Sequence, residues 1–471
     1  MTQSIEMPQD FPKRVHEALR AWHNRQTRGV LDDLFLAHQL QAVHEGTARL
    51  ITNQIVADGL EQLKQSDADA AKLLERRFLD REKAFAVANS LNLGEDVVYQ
   101  RQRIAIVQLA QAIWAQETEK LALRVHQIED RLEPPTYRRL FGVEERIADV
   151  RASLTTNAEP WIVALEGMGG VGKTSLADSL ARKMARETHF HEIGWVSARR
   201  RLFRLSGNVE LLDNRPDLTM AEVTDRLVDQ FGLNELARQP DAEKRAGLKE
   251  FFKTHPCLVI VDNLETVADY QTLVSQLDDL ANPTKFLLTT RYSLRNESGV
   301  YILTVRDLSR QDAFAMMDYE ARSRGLLELA EAPEADLALI YEVTGGNPLA
   351  IKLTVGQIHS LSLSTVLTRF GAARGTAVGE LLSFIYADAW KSLDVDSRQV
   401  LRAMLLTPGG GELEQVAAAT ELSVEVTANC LHRLAGFSLV DVTGGLKERR
   451  YALHQLTRAF VAQQPEEEAA V

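Results

Sequence analysis

Only two cysteines occur in 471 residues, and Cys257 and Cys430 lie far apart, each among apolar neighbours. That excludes a disulfide framework or a cysteine-based metal site, and buried free thiols are expected. No window approaches the roughly 18 consecutive apolar residues of a membrane-spanning helix. The N-terminal stretch MTQSIEMPQDFPKRVHEAL also lacks the apolar centre of a secretory signal. A cytoplasmic protein without membrane attachment is expected. Excess positive charge is missing too: the formal net charge is -12. Residues 1–133 carry 17 Lys+Arg against 20 Asp+Glu, a net of -3. This disfavours non-specific coating of nucleic acid, which depends on neutralising phosphates. Nor is there an internal repeat of roughly 20 to 50 residues, so no solenoid or propeller is visible.

What is present is ordinary globular composition, 45% hydrophobic and 25% charged, over a length that suggests about three domains. Apolar residues recur at three- and four-residue spacing in VLDDLFLAHQLQAVHEGTARLI and IAIVQLAQAIWAQETEKLAL. This predicts an all-α N-terminal region. The prolines of EPPTY end the helical pattern and place a boundary near Pro134. Short apolar runs then alternate with helical segments: WIVALE, EIGWVSA, CLVIVD, KFLLTTR and VYILTV. Strands buried on both faces and separated by helices predict an α/β domain with a doubly wound parallel sheet. Further helices follow around GGNPLAIKLTVGQI, and SLVDVTGGLKERRYALHQL reads as two strands about a Gly-Gly turn, the outline of a winged helix. The expected multidomain order is a helical region (1–133), a nucleotide-binding domain (134–308), a small helical domain (309–380), a winged helix (381–462) and a disordered acidic tail (463–471).

Between WIVAL and the next helix stands EGMGGVGKTSLA, which meets the pattern Gly, four residues, Gly-Lys-Thr at Gly167, Gly172, Lys173 and Thr174. Chemistry explains each residue type: glycines let backbone N–H groups converge on phosphates, Lys173 neutralises the β- and γ-phosphates, and the Thr174 hydroxyl ligates Mg²⁺. The cradle spans Gly167, Gly169, Gly170, Val171, Gly172, Lys173, Thr174 and Ser175. Asp262 follows four apolar residues in CLVIVDNLE and is the candidate second Mg²⁺ ligand on a neighbouring strand tip. The next position is Asn263, and an amide is no general base. Glu265 reads as a solvated residue at the start of the next helix, so slow hydrolysis is expected. In LLTTR, Arg291 falls at the same sheet edge, where a cation could register a γ-phosphate. Lys173, Asp262 and Arg291 are the candidate catalytic residues. No substrate-specific acid/base pair surrounds the loop, which disfavours a metabolic kinase.

In order, GMGGVGKTSLA, LVIVDN, LLTTR, TGGNPLAI and YALHQL resemble the phosphate loop, Walker B, sensor arginine, GxP and Met-His-Asp-type motifs of NB-ARC proteins, which are STAND-class NTPases. The resemblance covers about Tyr137 to Ala462. It implies that Pro348 packs on the nucleotide and that His454 reaches the β-phosphate of ADP in a closed state. LFGVEERI, with Phe141 and Val143, is similar to the element whose backbone recognises adenine, although Val143 replaces the usual arginine. Leu453 and Gln455 likewise depart from the motif around the histidine. The implied function is an ATP/ADP switch, closed with ADP and assembly-competent with ATP, acting in signalling such as anti-phage defence or a stress response. Homo-oligomerisation on activation and a protein partner acting as sensor or effector are also implied.

The segment ANSLNLGEDVVYQRQRIAI is similar to the region-4-type helix-turn-helix of sigma factors, within a trihelical unit at about 70–125. Ala88 lies inside the first helix, Leu91 and Leu93 flank a turn at Asn92, and Val98 lies in the second helix. Tyr99, Gln100, Arg101 and Arg103 could reach base edges and phosphates. Residues 94–124, however, hold four basic and four acidic side chains. The N-terminal helices therefore read as an adaptor for protein, with an ATP-regulated, DNA-binding transcription regulator as the alternative.

Overall fold

The computed structural model describes residues 6–464 apart from 25–28, 44–46, 200, 204–208, 212–217, 268, 372–375, 408–409 and 446–447. From residue 465 onward the expected acidic tail lies outside the described residues. Two compact units are formed. One comprises Met1–Glu133 with Ala181–Ile193 and Thr254–Pro256; the other comprises Pro134–Leu180, Gly194–Lys253 and Cys257–Val471. Both cysteines are buried and unbridged. Among the described residues no helix is long and apolar enough to cross a membrane.

The first unit is helical: α1 (Phe11–Ala21), α2 (Phe35–Val43), α3 (Ala48–Ser66), α4 (Ala68–Leu74) and α5 (Ala84–Leu91) precede α6 (Glu95–Arg131). No glycine or proline interrupts the 37 residues of α6, and its buried positions, including Val98, Ala105, Leu109, Ile113 and Leu121, keep helical spacing. Leu132 leaves the helix in an extended conformation, and the prolines beyond it prevent resumption. Two ionisable side chains of α6 are buried with partners. Glu117 accepts the Phe35 and Leu36 N–H groups at 2.8 and 3.0 Å at the start of α2, where orphan helix donors need an acceptor. Arg124 donates to the carbonyls of Ala185, Glu187 and Phe190. Asn92 adopts a left-handed conformation between α5 and α6, and Ala88, Val98 and Leu93 pack together beside it. The turn at Asn92 falls where the sequence placed it; of the two leucines flanking it, Leu93 packs against the small core while Leu91 is 46% exposed.

Past Pro134 come α7 (Glu144–Thr155), β1 (Ile162–Glu166), α8 (Lys173–Met184), β2 (Glu192–Ser197), the ribbon β3 (Arg201–Phe203) and β4 (Val209–Leu211), α9 (Met220–Gln230), α10 (Asp241–Thr254), β5 (Cys257–Asp262), α11 (Tyr270–Asp278), β6 (Lys285–Thr290) and β7 (Val300–Thr304). All five expected runs form strands of one sheet, in the order β2-β5-β6-β1-β7. β1 runs parallel to β6 and to β7, and β5 parallel to β6. The central strands are buried throughout, as continuous apolar runs covered on both faces must be. Parallel strands bring the ends of β1, β5 and β6 to one edge, where open α/β sheets bind ligands.

A cluster of helices follows: α12 (Arg310–Ser323), α13 (Leu327–Ala330), α14 (Glu334–Thr344), α15 (Pro348–Ile358) and α16 (Leu363–Gly371). Met316, Met317, Ile340, Ile351 and Val355 form its core. The last segment contains α17 (Thr376–Lys391), α18 (Val395–Ala403), α19 (Leu413–Thr420), α20 (Val424–Gly436), the antiparallel ribbon β8 (Val440–Thr443) and β9 (Arg450–Leu453), and α21 (Gln455–Val461). Because α17 starts at Thr376, the boundary expected at 380/381 falls inside a helix.

Candidate functional site

The phosphate loop leaves β1 at Glu166 and enters α8 at Lys173. Gly170 has φ +84, and a Cβ there would lie 2.7 Å from Asn347 Oδ1; Gly172 has φ +99. Both conformations favour glycine. Val171 is buried within the loop, whereas Ser175 is half-buried in the first turn of α8. Lys173 is 8% exposed, and its Nζ donates to the carbonyls of Gly167 and Met168 at 2.7 and 2.9 Å. Burial pushes its pKa from 10.5 down to about 8, with Arg291 adding to the depression while Glu265, Asp262 and Asp307 oppose it.

Asp262 is fully buried at the end of β5. Its Oδ1 accepts from the hydroxyls of Thr174 and Thr289, both at 2.7 Å, and its Oδ2 faces Arg199 Nη2 at 3.0 Å. Thr174 and Asp262 thus present hard oxygen donors side by side, a set suited to Mg²⁺. Asn263 is left-handed and donates its N–H to Thr289 Oγ1 at 2.9 Å. This starts the 3₁₀ turn Leu264–Thr266, which returns Glu265 toward the tip of β6. Glu265 is therefore not solvated, as its sequence context suggested. Its side chain is 7% exposed, and Oε1 pairs with Arg291 Nε at 2.8 Å.

Arg291 is also tied to the C-terminal segment: Nη1 donates to the Ile385 carbonyl at 2.7 Å, and the Arg291 carbonyl accepts from Ser438 Oγ at 3.0 Å. One residue on, Tyr292 meets Phe437 edge to face at 5.1 Å. A second link is Tyr386 of α17, whose hydroxyl contacts Met168 Sδ at 2.9 Å and accepts from Thr457 Oγ1 at 3.2 Å. Burial raises the pKa of this phenol, so it stays protonated and can donate.

Pro348 is the first residue of α15, half-buried, but the link to the loop is made by its neighbour. Asn347 Nδ2 donates to the Gly169 carbonyl at 3.1 Å while Oδ1 caps α15 through the Leu349 and Ala350 N–H groups. The Asn-Pro pair carried that signal, since asparagine favours the N-cap and proline the first helical position. His454 is the N-cap of α21: Nδ1 accepts the Leu456 N–H at 3.1 Å, which leaves the proton on Nε2, 3.3 Å from the Gly345 carbonyl. Asp307 Oδ2 lies 3.6 Å from the same nitrogen. Burial, reinforced by Asp441, raises the Asp307 pKa against the pull of His454.

Gly167, Met168, Val171, Asp307, Gly345 and His454 all line one cleft of about 1940 Å³. Gly142 and Glu144 line it as well. Phe141 packs into the α12–α16 core, 5.7 Å from Tyr319, while Val143 is the N-cap of α7. The sequence did not single out Arg199, Thr289, Asp307, Asn347 or Tyr386.

The family described as NB-ARC domain matches residues 143–325. A probable disease resistance protein of Arabidopsis thaliana is 24% identical over 221 residues, 46% of this chain and 23% of that protein. The chain thus spans about a quarter of that relative. Among solved structures, a STAND protein with a tetratricopeptide repeat sensor from Pyrococcus horikoshii shares 16% identity over 70% of this chain and 43% of its own, with a TM-score of 0.33. The ORC2 protein of Aeropyrum pernix shares 15% identity over 72% of this chain and 97% of its own, also with a TM-score of 0.33.

The Lys173 amine is a weaker base in the folded chain than in the unfolded one. Its folded pKa of about 8 lies below the ordinary 10.5, so between them the unfolded chain binds more protons and this group's contribution to stability rises with pH. A phosphate beside the amine restores its charge. Polyphosphate binding at about pH 9 is therefore expected to take up close to one proton. Calorimetry in two buffers of different ionisation enthalpy measures this, and a heat independent of buffer contradicts the assignment.

Proposed function

Since residues 143–325 are an NB-ARC domain, we propose that the chain is an adenine-nucleotide switch, closed with ADP and assembly-competent with ATP. The observation that carries this reading is the convergence of separate segments on one loop: Asn347 binds the Gly169 carbonyl and Tyr386 contacts Met168. The small helical region and the C-terminal segment, read as a winged helix, thereby touch the same loop, one through the Gly169 carbonyl and the other through the Met168 sulfur. Gly167 to Ser175 would cradle the phosphates, with Thr174 and Asp262 holding Mg²⁺; Gly142, Val143 and the adjoining chain would meet the base. When bound, the Mg²⁺ nucleotide supplies a phosphoanhydride whose hydrolysis resets the switch.

Arg291 is the residue fitted to register a third phosphate, because the guanidinium that holds the Ile385 carbonyl would be drawn from it. Differential contact of this kind is what shifts a two-state equilibrium. Hydrolysis should be slow: Asn263 is no base, and the carboxylate of Glu265 is committed to Arg291. The switch is assigned to signalling, with self-assembly as output and defence or stress as its setting. Exposed Val97, Ile104 and Val107 on α6 support an adaptor role for the N-terminal helices. Exposed Gln100, Arg101 and Arg103 are what favours the alternative, DNA binding.

His454→Ala tests the switch. His454 holds Gly345 and faces Asp307, so its loss should weaken ADP more than ATP. A contact difference of about 1 to 3 kcal/mol corresponds to roughly 5- to 150-fold. Calorimetric titration with each nucleotide reads the ratio, and equal losses would place His454 outside the switch. For the N-terminal helices, a gel shift of the full chain with random duplex at low salt should show no retention at micromolar protein. Retention that disappears on replacing Arg101 and Arg103 by alanine would establish the transcriptional alternative.

A further inference from the structure

The carboxylate at the tip of β5 already has a cation. Arg199 lies two residues beyond β2, the strand next to β5 in the sheet, and its Nη2 meets Asp262 Oδ2 at 3.0 Å with the arginine side chain only 10% exposed. The backbone that presents it is fixed from both directions: the Ala198 N–H donates to the Asp262 carbonyl at 2.9 Å, and the Ala198 carbonyl accepts from Thr266 Oγ1 at 2.5 Å. Just before it, the Ser197 carbonyl accepts from Arg226 Nη1 at 2.9 Å. Arg199 is thus aimed by structure at one oxygen of the carboxylate, while the two hydroxyls occupy the other.

A buried carboxylate needs compensation, and either a guanidinium or a divalent cation supplies it. Both together at one carboxylate repel, strongly so where water is scarce. We propose that Arg199 is an internal competitor of the divalent metal: it neutralises Asp262 so that the diphosphate-bound switch needs no metal, and it must release Oδ2 before a divalent ion can be held by Thr174 and Asp262. Binding linkage is reciprocal, so metal that displaces Arg199 is itself weakened by Arg199. The ion would then enter efficiently only with a triphosphate, whose added charge favours both cations. This inference rests on the nucleotide-switch reading and adds a residue that sets its metal dependence.

The test uses the full chain, Mn²⁺ as a spin-active probe followed by electron paramagnetic resonance, and ADP affinity measured with excess chelator and with Mg²⁺. Wild type should bind ADP about equally in both conditions. Arg199→Gln should bind Mn²⁺ in the presence of ADP about tenfold more tightly and should lose about tenfold in ADP affinity when chelator is present. Arg199→Lys keeps a cation without the planar fork and serves if the glutamine variant does not fold; it should lie between the two. Unchanged or weaker Mn²⁺ binding in the variants, with ADP still bound, overturns the competition and leaves the switch reading intact. If wild type binds no ADP in either condition, the switch reading falls and the inference falls with it.

Discussion

One buried carboxylate organises the edge of the sheet. Asp262 collects the Thr174 hydroxyl from α8, the Thr289 hydroxyl from β6 and the Arg199 guanidinium from beyond β2. Burying an isolated carboxylate is prohibitively unfavourable, so these partners are required for β5 to end where it does. The chain past Asp262 inherits that constraint: Asn263 is held by Thr289, its left-handed turn brings Glu265 back, and Glu265 fixes Arg291. Through Arg291 the same network reaches α17 at Ile385, and the neighbouring Tyr386 contacts Met168 of the loop.

Hydrogen bonds from Arg291 and Ser438 join this edge to the C-terminal segment beside the Tyr292–Phe437 aromatic pair. A neutral hydrogen bond contributes only about 1 kcal/mol net, while moving a population from 1:99 to 99:1 takes about 5.5 kcal/mol. In the proposed switch, a handful of bonds on that scale, remade by one charged ligand, would be enough to govern the position of α17 and the helices beyond it. An apolar interface of domain-core size could not be released so readily.

Much of this edge was legible in the sequence because local rules fix it. Glycine spacing determines where a backbone can wrap a phosphate, and an acid after four apolar residues marks a strand tip, so the loop between β1 and α8 and the end of β5 at Asp262 could be placed from the sequence. All five strands were legible for the same reason: continuous apolar runs bounded by polar turns. What escaped were partners brought together by topology. Arg199 and Asp262 are 63 positions apart, Asn347 and Gly169 are 178, and Tyr386 and Met168 are 218. Glu265 was misread for a subtler reason. An acid after Asp-Asn-Leu looks like the exposed start of a helix, and only the left-handed Asn263 turns it inward. Arg199 stood in the run SARRR, where no motif marked it.

The central claim is that nucleotide identity decides whether the C-terminal segment stays on the phosphate loop. Pulsed dipolar spectroscopy between spin labels at Glu250 and Glu425, both exposed, measures it directly, since the native cysteines are buried. With ADP the account predicts one narrow distance distribution; with a non-hydrolysable ATP analogue it predicts a longer or distinctly broadened one. Identical distributions in the two states would contradict it.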